Sequence, residues 1–316
     1  MLKRRCGWMA ALSLFVHGAA AQAVAPVVRW LNEPALPEVS GLVESGRLPG
    51  YFWALNDSGN APELIAFDRE GVRHARVRLG GVRNVDWEDL AAYQVDGVPM
   101  LAIADCGDNF KRREQVQLIL LPEPDPLLDA SVLPQQVRTL RYPDGARDCE
   151  ALVAEADGQR FLLIDKGERR THVYATEGDR ERLQRIAEIQ HRHPQAPPPV
   201  LPISGRYRGA ISAADLDATG LRLLVLTYTH WLVYQRAPGE PWASALARVP
   251  ISQSLPRIRG LEAAAWDSSG GIWVSGEGQP VPLLHWPQPA LPWATQAQPV
   301  VAPSAASGSE SSPPAR

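Results

Sequence analysis

The chain has 316 residues, 45% of them apolar and 21% charged, with a formal net charge of −3. That composition can bury a sizeable core and excludes a disordered chain as the starting assumption. The acidic balance excludes nucleic acid as an expected partner.

The chain opens with "MLKRR", the apolar "WMAALSLFV" and the small residues "HGAAAQA". This is the order of a secretory signal peptide, here residues 1–23, with cleavage after Ala21 or Ala23. The apolar run is too short to span a bilayer, and Cys6 precedes it, whereas a lipid-modified cysteine would follow it. The expectation is a soluble, periplasmic or secreted protein, acting as a monomer with no membrane span. Losing Lys3, Arg4 and Arg5 takes the net charge to −6 and leaves Cys106 and Cys149 as the remaining cysteines. An oxidising compartment permits their pairing; two separate buried thiols are the alternative.

From residue 24 to 290 no sustained 3.6-residue apolar period occurs. Short Val, Leu, Ile and aromatic runs recur instead between Gly, Pro, Asp and Asn, which predicts an all-β chain. A first strand repeats as "VSGLVES", "WEDLAAY", "CEALVAE", "ISAADLD" and "LEAAAWD", carrying near its start Ser40, Glu88, Glu150, Ser212 and Glu262. A second strand follows each, as "YFWALN", "MLAIAD", "FLLID", "LLVLT" and "GIWVS". The spacing within these pairs is nearly constant while the full period varies widely, as a rigid inner hairpin with variable outer loops would give. Third strands read as "ELIAFD", "VQLILLP", "THVYAT", "HWLVYQR" and "PLLHWP". Fourth strands read as "ARVRLG", "VRTLRYP", "RIAEIQ" and "LARVPI", and the fifth repeat lacks one. "VVRWL", residues 27 to 31, is left over at the mature N-terminus and would complete that repeat. The prediction is a β-propeller of five four-stranded blades closed by an N-terminal strand, with room for a sixth blade in the stretch from 168 to 210. The Pro, Ser and Ala-rich end, 291–316, reads as a disordered tail.

In such a blade the start of the innermost strand and the end of the second lie on one face, at the channel mouth. Ser40, Glu88, Glu150, Ser212 and Glu262 would ring it, with Asn56, Asp57, Asp105, Asp108, Asn109 and Asp165 close behind as ligand-binding candidates. Each Asn or Asp taken alone reads equally as turn chemistry. Glu88, Glu150 and Glu262 are candidate metal ligands, because converging carboxylates share protons or bind a cation. An oxygen-only set suits Ca²⁺ better than Zn²⁺. Neutralisation by Arg83, Lys166, Arg206 or Arg208 is the competing reading.

Six segments, "NDSGN", "NVDWEDLA", "DCGDN", "YPDGARDCEAL", "LTYTHWLVY" and "LEAAAWD", give the chain a resemblance over nearly its whole mature length. It resembles a group of secreted bacterial propeller proteins loosely similar to the esterase-like phytase and gluconolactonase/strictosidine synthase-like propellers. The resemblance implies a metal or ligand site at one end of the channel. In the gluconolactonase-like relatives a Glu at an inner-strand start, with Asn and Asp from other blades, binds Ca²⁺, and Glu88, Glu150 and Glu262 match that place. Ser40 and Ser212 depart from it and the Asn ligands find no clear match, so catalysis does not carry over.

Two functions fit: a module binding a small molecule, glycan or protein across the mouth with a divalent cation, or a metal-dependent hydrolase of an ester, lactone or phosphoester. In the second, His230, Tyr228 and Lys166 are the catalytic candidates. His191 and His193, in "HRHPQAPPP", read as a solvated loop. The Pro-rich 192–210 stretch, carrying Arg206, Tyr207 and Arg208, either lies across the mouth or points outward. Alignment of the repeats puts Cys106 and Cys149 at the same end of adjacent blades, which predicts a disulfide.

Overall fold

The computed structural model describes residues 24–167, 170–190, 209–287, 289 and 291. Residues 1–23, where the signal peptide is expected, the 191–208 stretch with its histidines and arginines, and nearly all of 291–316 lie outside them. The strands run in chain order as β1 (Val27–Leu31), β2 (Val39–Glu44), β3 (Tyr51–Asn56), β4 (Glu63–Asp68), β5 (Arg73–Leu79), β6 (Trp87–Val95) and β7 (Val98–Asp105). Then come β8 (Val116–Pro122), β9 (Ala130–Val132), β10 (Gln136–Leu140), β11 (Cys149–Ala154), β12 (Phe161–Asp165), β13 (Arg170–Ala175) and β14 (Gln184–Gln190). The rest are β15 (Ile211–Leu216), β16 (Arg222–Thr227), β17 (His230–Gln235), α1 (Trp242–Leu246), β18 (Ile251–Ser254), β19 (Leu261–Trp266), β20 (Ile272–Gly276) and β21 (Val281–Trp286).

These strands make five sheets, β2-β3-β4-β5, β6-β7-β8-β10, β11-β12-β13-β14, β15-β16-β17-β18 and β19-β20-β21-β1. The fold is a five-bladed β-propeller. The leftover N-terminal strand pairs antiparallel with β21, from Val27 opposite His285 to Leu31 opposite Val281, and closes the ring. β9 adds in parallel to the outer edge of the first blade. One boundary is corrected: "LARVPI" is not the fourth strand of blade four. Trp242–Leu246 forms a short helix, and the strand follows at Ile251–Ser254. Its placement lets Trp242 bury against the interface between blades three and four. No helix among the described residues is long and apolar enough to cross a membrane.

The blade interiors explain the unbroken apolar runs. A middle strand is covered on both faces, so both sets of its alternating side chains are buried. In β7, Leu101 and Ile103 join Trp53 and Leu64 between blades one and two. Met100, Ala102 and Ala104 point the other way, to Leu152 and Leu163 of blade three. Similar clusters fill the remaining gaps, around Val225 and Tyr234, around Trp231 and Trp286, and around Phe52 and Trp273.

Inner strands meet neighbouring inner strands without a regular ladder, so their amides need other acceptors. Asp89, fully buried, takes the Leu152 amide of blade three at 2.8 Å and the Ala214 amide of blade four at 3.3 Å. Asp215 likewise takes the Trp266 amide of blade five at 2.7 Å. Asp89 also accepts the Leu90 amide of its own strand at 2.8 Å, so replacing it by Ala orphans three buried N–H groups and is expected to cost about 2–4 kcal/mol in urea denaturation; a loss below that would mean the amides find other acceptors. A second staple lies in blade five, where Asp267 accepts from Gly271 N, Trp273 Nε1 and His285 Nε2 at 2.8, 3.0 and 2.9 Å. Burial alone would raise its carboxyl, but bonds from His285, Ser269, Gly271 and Trp273 outweigh burial and hold it well below the usual range. A lowered carboxyl stabilises the fold above its unfolded pKa of about 3.9 and loses that contribution as pH falls through the folded value. The stability gap between wild type and Asp267→Asn is therefore expected at pH 5 and should shrink steadily as the urea series is taken down to pH 2.

Candidate functional site

Every inner hairpin carries a register break at the same place. The ladders skip one residue between Val39 and Gly41, Trp87 and Asp89, Cys149 and Ala151, Ile211 and Ala213, and Leu261 and Ala263. The skipped residues are Ser40, Glu88, Glu150, Ser212 and Glu262. A bulge leaves its extra residue out of the ladder and re-aims its side chain, so five equivalent bulges turn five polar side chains toward one end of the channel.

What each side chain meets there differs. Ser40 Oγ donates to the Trp87 carbonyl at 3.0 Å. Glu150 binds Lys166 Nζ at 2.8 Å, and that ammonium stands 5.7 Å from the centre of the Tyr228 ring. Tyr228 in turn neighbours both Lys166 and Glu262. Burial alone would lower the Lys166 ammonium, but Glu150 and Tyr228 raise it above its ordinary value. Ser212, 2% exposed, has no hydrogen-bond partner for its hydroxyl.

Glu88 is the outlying case. It is 6% exposed, and among the described residues no hydrogen-bond donor serves it. Burial, then Glu150, Asp57 and Asp86, push its carboxyl well above the usual range. One carboxylate oxygen each from Asp57, Asp86 and Glu88 lie within 4.8 Å of one another. Asp86 is pushed up to about 6 by burial and then by Asp57. Glu262 reaches about 7 through burial and then Glu277. The main chain at Gly107 walls the cluster, since a Cβ there would lie 2.0 Å from Glu88 Oε1 and 2.6 Å from Asp86 Cγ.

The three glutamates expected as metal ligands stand in different surroundings. Glu150 pairs with Lys166 and Glu262 neighbours Tyr228, whereas Glu88 lies with Asp57 and Asp86. Among the ligand-binding candidates, Asp57 alone joins it. Asn56 ties the entering loop, accepting from Glu38 N at 3.1 Å and donating to Ala35 O at 2.6 Å. Asp105, fully buried, pairs with Arg113 at 2.7 Å. Asp108 accepts the Arg113 amide at 2.6 Å, and Asn109 is exposed. Asp165 holds His172 through its amide at 2.7 Å and its ring at 2.8 Å. His230 is buried with its ring nitrogens against Thr229 Oγ1 at 2.9 Å and Ser254 Oγ at 3.0 Å, which ties it to the outer strand β18. Asp86 was missed, although "NVDWED" spaces Asp86 and Glu88 two apart, on one face of an extended chain.

The cysteines are brought together as expected but not joined. Cys106 and Cys149 are both buried free thiols, with their sulfurs 2.6 Å apart. A bond would need about 2.05 Å.

No family model matches the chain, and no curated protein does. Among solved structures it is similar to one titled "Structure of U3-55K", at 12% identity and TM-score 0.38, over 78% of this chain and 68% of that one. It is also similar to Kuenenia stuttgartiensis hydrazine synthase, at 15% identity and TM-score 0.38, over 76% of this chain and 56% of that one. Likenesses this remote carry nothing about function, and the assignment of the fold rests on the five sheets themselves.

The Glu150–Lys166 pair yields a test of the mouth's electrostatics. Lys166→Met should cost about 3 kcal/mol, because it strands a buried carboxylate, and adding Glu150→Gln should recover most of the loss. Equal stability of the single and double variants in denaturant titrations would show that the pair is not coupled.

Proposed function

We propose that the protein is an exported binding module whose channel mouth holds a divalent cation on Asp57, Asp86 and Glu88 and takes a small molecule, glycan or protein there. The observation that carries this reading is Glu88: a carboxylate 6% exposed, without a donor among the described residues, facing two other carboxylates. Three crowded carboxyls must protonate or share a cation. Oxygen ligands alone suit a hard ion, and Ca²⁺ is the first choice. The kinship with gluconolactonase-like and phytase-like propellers suggested by the sequence supports the same end of the channel. Export to the periplasm or out of the cell is supported by the N-terminal sequence pattern.

A second reading, a metal-dependent hydrolase of an ester, lactone or phosphoester, is favoured by one observation. Tyr228 presents a hydroxyl at the mouth between Lys166 and Glu262, where a proton could be passed to a leaving oxygen. An ester, lactone and phosphoester panel, run with and without chelator, separates the two readings.

Calcium at a hundredfold excess over Kd should raise the thermal midpoint of the wild-type chain by about 5–10 °C. Glu88→Gln should abolish that response, removing a formal charge at nearly constant shape, whereas Glu262→Gln, outside the cluster, should retain it. The same calcium response in Glu88→Gln as in wild type would sink the assignment.

A further inference from the structure

The two thiols below the mouth have no part in cation binding as just described, yet they sit under its wall. Cys106 N and Gly107 N both donate to the carbonyl of Asp86, at 3.0 and 3.1 Å. Gly107 is the residue whose missing side chain lets Glu88 and Asp86 pack against the main chain. The Cys106–Gly107 segment is therefore the support on which two of the three carboxylates lean. Cys149 lies in blade three, flanked by Asp148 and Glu150. Asp148 accepts the Asp108 amide at 3.1 Å, and its carbonyl accepts the Lys166 amide at 2.8 Å. The sulfur of Cys106 reaches across to both the sulfur and the carbonyl of Cys149, at 2.6 and 3.4 Å. Two thiols alone do not close a zinc site, and the three-ligand group among the described residues is the carboxylate one. What remains for a pair in this position is a covalent bond.

We propose that Cys106 and Cys149 form a disulfide that fixes the wall of the cation site to blade three, so that the oxidised chain binds a divalent cation more tightly than the dithiol. The tightening rests on the cation reading above; the bond does not. Its formation needs a disulfide oxidant, protein or small-molecule. One cysteine, as thiolate, attacks a sulfur of the oxidant and expels the other oxidant sulfur as thiolate. The second cysteine, as thiolate, then attacks the first cysteine's sulfur and expels the remaining oxidant sulfur. One S–S bond forms and one breaks, the two cysteine protons end on the oxidant's thiols, and the oxidant takes up two electrons. Both sulfurs are fully buried in the closed ring, so the exchange runs while blades two and three are still apart. Packing of the blades then shields the bond. A ligand cluster whose support is held in place binds its ion without first having to order that support.

The full chain, exported into an oxidising compartment and purified without reductant, should have an intact mass lower by two hydrogens than the dithiol. Peptide mapping should recover the Cys106 and Cys149 peptides linked. Two freely alkylatable thiols would overturn the bond. Calorimetric titration with Ca²⁺ should then find the phosphine-reduced chain and the Cys106→Ala/Cys149→Ala variant each weaker than the oxidised chain by about tenfold. Equal affinity in the oxidised and reduced chains would overturn the clamp while leaving the cation site standing. Absence of binding in every form would take down the cation site and the clamp together, and the mass measurement would still decide the bond. Should the double variant fail to fold, the comparison of oxidised with reduced wild type decides alone.

Discussion

The ladder between β1 and β21 is the contact on which the rest of the molecule depends. It joins residues 27–31 to 281–285, so the two ends of the propeller are one sheet. Without it blade five would stop at three strands with an open edge, and Leu31 would leave the cluster it shares with Phe52, Phe67 and Trp273. The consequence reaches the mouth. Asp57 comes from blade one, Asp86 and Glu88 from blade two, Lys166 from blade three, Tyr228 from blade four and Glu262 from blade five. No two adjacent blades hold that set, and it converges because the ring is shut.

Within the ring, one backbone device carries different chemistry. The bulge at the start of each inner strand delivers a side chain to the mouth, and the backbone does not care which. Serine in blade one is absorbed by a carbonyl of blade two. Glutamate in blade three pairs with Lys166, whose ammonium stands over the Tyr228 ring, and glutamate in blade five neighbours that tyrosine. This sets the two sides of the mouth apart: Glu150 of blade three is paired with Lys166, and the side formed by blades one and two brings three carboxylates together. The Lys166 ammonium sits against Glu150 at 2.8 Å, and its charge also acts on Glu88, whose carboxyl burial and the neighbouring carboxylates nonetheless push up.

How much of this was legible in the sequence follows from what kind of information each feature uses. The blades were readable because a strand buried on both faces is written as an unbroken apolar run such as "FLLID", and the borrowed strand because "VVRWL" had no partner in its own repeat. The polar residue at each inner-strand start was readable as a column, although the bulge that aims it was not, since it is a property of pairing. The outer strand of blade four was misplaced because "PWASALARVPI" holds apolar residues at both helical and extended spacing, and Trp242 settles the choice by burying against the next blade. The sites behind the mouth were harder still. Asp105, Asp108 and Asp165 have the same letters as ligands. Whether an aspartate faces a ligand or an arginine depends on Arg113 and His172, several residues away and readable only once the turn is folded. Asp89, which ties three blades, lay unnoticed beside the glutamate that drew attention.

The two ends of the channel supply the last argument for where the function lies. The opposite end opens on a basin of about 380 Å³ lined by residues of every blade, among them Val43, Ala92, Ala154, Leu216 and Trp266. It also contains carboxylates, but each is answered. Glu44 accepts from Gly50 N at 2.8 Å and Arg69 at 3.2 Å. Asp217 accepts from Arg222 at 2.8 Å, and Asp215 and Asp267 hold the amides and side chains already described. A buried polar group left without a partner costs free energy that a folded chain ordinarily avoids by sequence. Around the basin, among the described residues, the indole N–H of Trp266 and the Nε of Arg69, whose Nη2 holds Glu44, go unanswered. At the mouth the Ser212 hydroxyl goes unanswered, and Glu88, 6% exposed, faces Asp57 and Asp86. An unanswered N–H is a tolerable loss in packing, whereas a buried carboxylate beside two others favours a positive charge nearby. The same inner strands thus end among paired carboxylates on one side and beside three crowded ones on the other, which is where the proposed cation would sit.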